Sequence, residues 1–351
     1  MDFKNLFKIA AEKKASDLHL LVGQPPILRI DGNLVTVNSV WAGKEFYGPL
    51  TRMDMTTVVE TLLDKDQRLR FAKDKDLDCS YSVGTVRFRI NVSLEKENLC
   101  VVARVIEDKK PTLDEIGMPE MVKNLLDSHQ GLILITGPTG CGKSTTLAAM
   151  INHINSTRSC HIVTLEDPIE YIFTSDKSLV AQRQLGSDVS SFASGLKHVL
   201  RQDPNVIMVG EMRDYETISS AITLAETGHL VLATLHTYNA VQTIDRIIDI
   251  FPPHQQTQVK SQLSMLLTAV ISQRLLPRVG GGRIAAREML IRNSAVANLI
   301  REGKTGQIKS VMEMHSKDGM STLDSHLKEL YSNGEITVET AQAYLDDPAS
   351  I

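Results

Sequence analysis

The sequence has little of what would mark a membrane, metal or nucleic-acid protein. No apolar run approaches the roughly 18 residues that a spanning helix requires. The four cysteines, Cys79, Cys100, Cys141 and Cys160, stand far apart with no C-x-x-C pair. That spacing argues against zinc, and a reducing cytoplasm argues against disulfides. Net charge is only −4 with a pI near 6.2, so no overall field recruits nucleic acid or anionic lipid. A basic-aromatic groove is also missing. Arg87-Phe88-Arg89 is the one tempting patch, and strand alternation puts Phe88 on the face opposite both arginines. No nucleic-acid partner is expected. There is no internal repeat and no low-complexity segment. The start places Phe3, Leu6, Phe7 and Ala10 on one helical face but lacks the apolar core and cleavage site of a signal peptide. The chain is expected to stay in the cytoplasm.

What is present is a globular composition, 42% hydrophobic and 23% charged over 351 residues, more than one ordinary domain holds. Residues 1–106 read as one α/β module. After the N-terminal helix, Asp17-Leu-His-Leu-Leu-Val alternates as a strand. Ile27 to Val37 reads as a hairpin with Asp31-Gly32 at its bend. Met55 to Phe71 has a helical pattern, and Tyr81 to Ser93 and Leu99 to Ile106 resemble paired strands. Trp41 to Pro49 reads as an exposed loop. Residues 107–120 form a linker, marked by Pro111 and Gly117-Met-Pro119. In residues 121–351, strand-like runs at 132–136, 161–165, 205–209 and 230–235 alternate with helical stretches. The last hundred residues look predominantly helical: Gln255 to Leu276, Ser294 to Arg301, Thr322 to Ser332 and Thr337 to Leu345.

The most informative stretch is Leu132-Ile-Leu-Ile-Thr-Gly137-Pro-Thr-Gly-Cys-Gly142-Lys143-Ser144. A short buried-type strand runs into G-x-x-x-x-G-K-S, and a helix-like run follows. That is a P-loop in the strand–loop–helix context it requires. Its glycines let successive backbone N–H groups turn toward phosphates without a Cβ clash. Gly137, Pro138, Thr139, Gly140, Cys141, Gly142, Lys143, Ser144 and Thr145 are the candidate nucleotide contacts. Lys143 would reach the β- and γ-phosphates, Ser144 would ligate Mg²⁺, and the helix dipole would add to both. Binding of a nucleoside triphosphate, with hydrolysis, is the expected chemistry. Cys141 needs no role beyond its small size.

Three further segments carry the same chemistry. Thr164-Leu-Glu166-Asp-Pro-Ile-Glu-Tyr171 puts carboxylates at the end of a parallel strand, where one could polarise the attacking water. Asn205-Val-Ile-Met-Val-Gly-Glu211 is an apolar strand ending in an acid, the usual holder of Mg²⁺ through water. Thr227-Gly-His229-Leu-Val-Leu-Ala-Thr-Leu-His236-Thr237 brackets another apolar strand with histidines. Two histidines at this separation do not make a metal site alone. Near a γ-phosphate, His236 could donate a hydrogen bond and report nucleotide state; a purely structural histidine fits the pattern equally well.

Together these segments resemble the secretion-type ATPases, in particular the type IV pilus retraction (PilT-like) branch, over nearly the whole chain. Gly137 to Ser144 matches the family's Walker A, Thr164 to Tyr171 its Asp box, Arg201 to Asp214 its Walker B and Thr227 to Thr237 its His box. Ala15-Ser-Asp-Leu-His-Leu, Gly23 to Gly32 and Ala295-Val-Ala-Asn-Leu-Ile-Arg301-Glu302 are similar to the retraction branch. The tetracysteine insert of assembly-type relatives is absent. The resemblance implies a small PAS-like N-terminal domain, a RecA-like ATPase domain with a helical C-terminal region, and a homohexameric ring. It implies that ATP binds between the two domains with Mg²⁺, Glu166 as catalytic base, Glu211 as Walker B acid, and His229 with His236 as nucleotide sensors. Arginines of the N-terminal domain would complete the site, with Arg87, Arg89 and Arg104 at the matching positions. The implied work is pilus retraction on an inner-membrane platform protein, alone or with a paralogous retraction ATPase. Two positions depart from the pattern: Asn205 stands where the family has aspartate, and Ala297 where the helix motif has arginine. An accessory (PilU-like) retraction ATPase shares this layout. A nucleic-acid motor and a non-hydrolysing ATP-binding scaffold are the readings from other classes.

Overall fold

The computed structural model describes residues 3–30, 32–43, 46–84, 86–106 and 110–351. Internal contacts divide the chain into two compact units, Met1–Lys109 with Glu170–Ile172, and Lys110–Ile169 with Phe173–Ile351.

The first unit runs α1 (Phe3–Glu12), β1 (Asp17–Leu21), β2 (Ile27–Ile30), β3 (Asn33–Thr36), α2 (Val37–Val40), α3 (Arg52–Leu62), α4 (Lys65–Asp74), β4 (Asp76–Val83), β5 (Val86–Glu95) and β6 (Asn98–Ile106). Its strands form one antiparallel sheet ordered β3-β2-β1-β6-β5-β4. Alternation on β1, β5 and β6 turns Leu18, Leu20, Phe88, Ile90, Val92, Val101 and Ala103 to one face. There they meet Phe3, Leu6, Phe7 and Ala10 of α1 and Met55, Val58 and Val59 of α3. This is the small PAS-like α/β unit.

Two readings of this unit need correction. The run from Met55 to Phe71 is two helices, because Asp64 caps α4 in a reciprocal box with Gln67 and stops α3 just before it. The stretch from Trp41 to Pro49 is not simply an exposed loop. Tyr47 is fully buried, its hydroxyl accepts from Asn5 Nδ2 at 3.0 Å, and Asn38 bonds both its N–H and its carbonyl. Asp31, at the expected hairpin bend, lies outside the described residues, as do residues 107–109 of the expected linker. Between Lys110 and Glu120 the chain packs into the second unit. Leu113 and Met118 are buried, and Arg287 donates to the carbonyls of Ile116 and Gly117.

The second unit contains α5 (Met121–Leu126), β7 (Gly131–Thr136), α6 (Lys143–Thr157), β8 (His161–Glu166), β9 (Leu179–Gln184), α7 (Phe192–Val199), β10 (Val206–Val209), α8 (Tyr215–Glu226), β11 (Leu230–Leu235), α9 (Ala240–Asp249), α10 (Pro253–Leu266), β12 (Leu267–Pro277), β13 (Arg283–Ile291), α11 (Ser294–Glu302), α12 (Ile308–Met314), α13 (Leu323–Ser332) and α14 (Val338–Gln342). The sheet order is β13-β12-β7-β11-β10-β8-β9, parallel throughout except for β13 at the edge. β7, β10 and β11 are buried at every residue. This is why they read as unbroken apolar runs: helices cover both faces of a parallel sheet. The fold is the RecA-like P-loop class that the family resemblance implied.

The helical reading of Gln255 to Leu276 holds only as far as Leu266. From Leu267 the chain is strand β12, paired with β7 on one side and β13 on the other. A short apolar run fits a buried strand or a buried helix equally by periodicity, and the strand partners here are distant in sequence. Among the described residues no helix is long and apolar enough to cross a membrane.

Candidate active site

Four consecutive strands, β7, β11, β10 and β8, end on one rim of the parallel sheet, the edge where ligands bind in open α/β folds. Register fixes which residues stand there. Thr136 pairs with Leu235, so Gly137 and His236 begin adjacent loops. Val209 pairs with Ala233 and with Leu165, which brings Glu211 and Glu166 to the neighbouring strand ends. At about 4.8 Å per strand the set spans roughly 15 Å.

The loop at 137–142 owes its shape to glycine. Gly137, Gly140 and Gly142 have φ of 142°, 78° and 90°, values that L side chains rarely adopt. A Cβ at Gly137 would also stand 2.3 Å from the carbonyl oxygen of Gln273. The loop feeds α6 through Gly142, and no side chain caps that helix. By contrast, Asp214, Asn239, Asn293 and Thr322 cap α8, α9, α11 and α13. An uncapped N-terminus directs backbone N–H groups and the positive end of the dipole outward, which suits an anion. Lys143 Nζ spans the loop, donating to the carbonyls of Gly137 at 2.8 Å and Pro138 at 2.9 Å. Ser144 and Thr139 are exposed, while Cys141 is buried. Burial pushes the Cys141 thiol up despite the Lys143 charge nearby, so it stays protonated and inert at neutral pH.

Glu166 is buried at the end of β8. Its Oε1 accepts from Thr164 Oγ1 at 2.6 Å and Gln182 Nε2 at 3.0 Å. These two donors fix the carboxylate's orientation. Glu211 is half-buried, with Arg213 Nε 2.8 Å from one oxygen and His236 Nε2 3.4 Å from the other. Its loop is tied to β11, since Thr234 Oγ1 donates to the carbonyl of Gly210 and Met212 N–H to that of Thr234.

His229 is not brought to this rim. It precedes Leu230 at the opposite end of β11, so the length of the strand, roughly 20 Å, separates it from His236. Its Nδ1 lies 3.0 Å from the Leu224 carbonyl and its own carbonyl accepts from Gly131 N–H. Asn205 also sits at that far end, where it exchanges hydrogen bonds with His161 on β8. Arg87, Arg89 and Arg104 lie in the first unit's sheet. Arg89 and Arg104 are direct cross-strand partners, and Arg104 pairs in turn with Asp17. Arg104 Nε is 2.9 Å from Asp17 Oδ1, Arg89 is 3.6 Å from Asp78, and Arg87 donates to Ser80 Oγ at 2.9 Å. Sequence reading missed Thr146, Thr164, Gln182, Arg213 and Gln273. Thr164 and Arg213 stand within the two acidic segments and bond Glu166 and Glu211 two residues away, but spacing alone gives them no role; Thr146, Gln182 and Gln273 act through distant partners that only the fold supplies.

The family model for type II/IV secretion system proteins matches residues 2–343. The chain belongs to that family. It is 44% identical over 343 residues to the type IV pilus retraction ATPase PilT of Pseudomonas aeruginosa, covering 97% of each chain. It is 40% identical over 348 residues to the type IV pilus ATPase PilU of the same organism, covering 99% of this chain and 89% of that one. The crystal structure of a pilus retraction motor PilT with bound ADP superposes with a TM-score of 0.93 at 44% identity, over 100% of this chain and 99% of that chain. In this chain the loop at 137–142 and the uncapped start of α6 are the part whose geometry suits an anion.

Proposed function

We propose that this chain is the ATP-hydrolysing motor subunit of a type IV pilus retraction machine. The observation that carries the reading is the rim itself: an uncapped helix behind a glycine loop, followed on successive strands by His236, Glu211 and Glu166. The P-loop amides and Lys143 hold the phosphates. Glu166, oriented by Thr164 and Gln182, takes the proton of the attacking water. His236 senses the terminal phosphate beside Glu211. Mg²⁺ suits the oxygen donors Ser144 and Glu211 and would neutralise charge on the β- and γ-phosphates. The cations Arg87, Arg89 and Arg104 are assigned to nucleotide contact in the assembled ring. His229 is left with a structural tie at the far end of β11.

Hydrolysis in a homohexamer moves domains against each other, acts on the inner-membrane platform protein from the cytoplasmic side, and draws pilin out of the fibre. Ring assembly couples one site's chemistry to rigid-body movement of its neighbours. Retention of both Glu166 and Glu211 weighs against a non-hydrolysing scaffold. The 44% identity to PilT favours the main retraction motor, and the 40% identity to PilU together with Ala297 supports an accessory role as the second reading. Steady-state ATP turnover of the purified chain with Lys143→Ala and Glu166→Gln tests the chemistry; wild-type turnover in both variants would overturn it. Deletion of the gene tests the biology. Normal pilus retraction in the deletion strain refutes the motor role, and loss only under load favours the accessory one.

A further inference from the structure

β12 flanks β7 on the side away from the other site strands. Ser272 is the register partner of Thr136, and their hydroxyls bond at 2.8 Å. The next residue, Gln273, therefore passes beyond the end of β7 and lies against the P-loop. Its backbone oxygen occupies the space that a Cβ on Gly137 would fill. Its side chain, in a residue only 2% exposed, makes two bonds of opposite sense. Oε1 accepts from Thr146 Oγ1 at 2.9 Å, and Nε2 donates to the Cys141 carbonyl at 2.8 Å. Thr146 is in the first turn of α6 and Cys141 is in the loop, so one amide brackets Gly142, Lys143, Ser144 and Thr145.

We infer that Gln273 is a positioning residue for phosphate binding: acting through Cys141 and Thr146, it holds the segment 141–146 in its anion-binding shape. This rests on the reading of the P-loop as a nucleotide site. The chemistry is selective for an amide, which offers a donor and an acceptor on one short planar group. Glutamate keeps the acceptor and loses the donor; methionine keeps the length and loses both. Without the bracket, the loop must be ordered when the phosphates arrive, and that cost falls on ligand affinity. It falls on ligands with a β-phosphate, because the loop amides and Lys143 serve that end of the nucleotide.

The test is equilibrium binding of ADP and AMP to the full-length chain, by displacement of a fluorescent nucleotide, for wild type, Gln273→Met and Gln273→Glu. The expected result is ADP affinity weakened about tenfold or more in both variants, with AMP affinity changed less than about twofold; the thermal midpoint falls in both, because buried hydrogen bonds are lost. Thr146→Val is expected to give the same ADP-selective loss, and the Gln273→Met/Thr146→Val double variant no further loss, since both break one bridge. If Gln273→Met does not fold, Thr146→Val carries the test. ADP binding within about twofold of wild type in the folded variants, or equal weakening of ADP and AMP, overturns the assignment. Wild-type protein that binds no ADP overturns instead the nucleotide reading beneath it.

Discussion

His236 Nε2 lies 3.4 Å from Oε2 of Glu211, and the contact crosses from the end of β11 to the end of β10. Arg213 Nε holds the other carboxylate oxygen at 2.8 Å. The acid is thus set between a cation of its own loop and an imidazole from the next strand. His236 is half-exposed beside the P-loop's starting residue, and the proposed mechanism has it turn from Glu211 to a phosphate oxygen. His236→Ala is expected to lower kcat for ATP by about 10²-fold, the loss typical of one well-placed donor. ADP affinity should change little. Unchanged kcat in steady-state assays would reduce His236 to a structural residue.

Glu166→Gln keeps an oxygen that can accept from Thr164 and Gln182, so the fold and nucleotide binding should survive. Turnover should fall by about 10²–10⁴-fold, the range for removing a general base. Lys143→Ala is expected to fail earlier, at binding. Nucleotide titration beside single-turnover hydrolysis separates the two defects, and Glu166→Gln with wild-type hydrolysis would exclude the base assignment.

Gly137→Ala forces a Cβ to within 2.3 Å of the Gln273 carbonyl oxygen at a φ of 142°. Both the strain and the clash fall on backbone that two strands hold in place. A loss of about 3 kcal/mol in unfolding free energy is expected, measured by urea denaturation. Gly140→Ala, with open space around it, should cost about 1 kcal/mol, the strain of its positive φ alone.

Asp17 is nearly buried between Arg104 and Arg29. Burial pushes its carboxyl up, but hydrogen bonds from Arg104 and Ser16 and the Arg104 charge outweigh it and hold the group below its usual range. A depressed carboxyl contributes stability that is present above the unfolded-state value near 3.8 and is lost as pH falls through the folded value. Arg104→Ala should therefore cost about 1 kcal/mol at pH 7, a figure kept small because the guanidinium is exposed. It should cost progressively less as pH falls below the ordinary carboxylate range. Denaturation series at several pH values check the sign; a cost that grows on acidification would contradict it.

The P-loop was legible from residue order alone, since a phosphate cradle is a contiguous run whose glycines and lysine act on their immediate neighbours. So were the strands that end in Glu166, Glu211 and His236, because strands of a parallel sheet covered on both faces are unbroken apolar runs. What flanks them emerged from the folded chain. β12 reads as helix until β7 and β13 pair with it, and Gln273 then meets Thr146 across 127 positions. Tyr47 reads as loop until Asn5 and Asn38 bond it. His229 and His236 look equivalent as a pair of letters, and strand direction alone puts one at the rim and one at the far edge. Local chemistry is written in spacing; which distant groups hold it in place depends on pairings whose partners no short stretch contains.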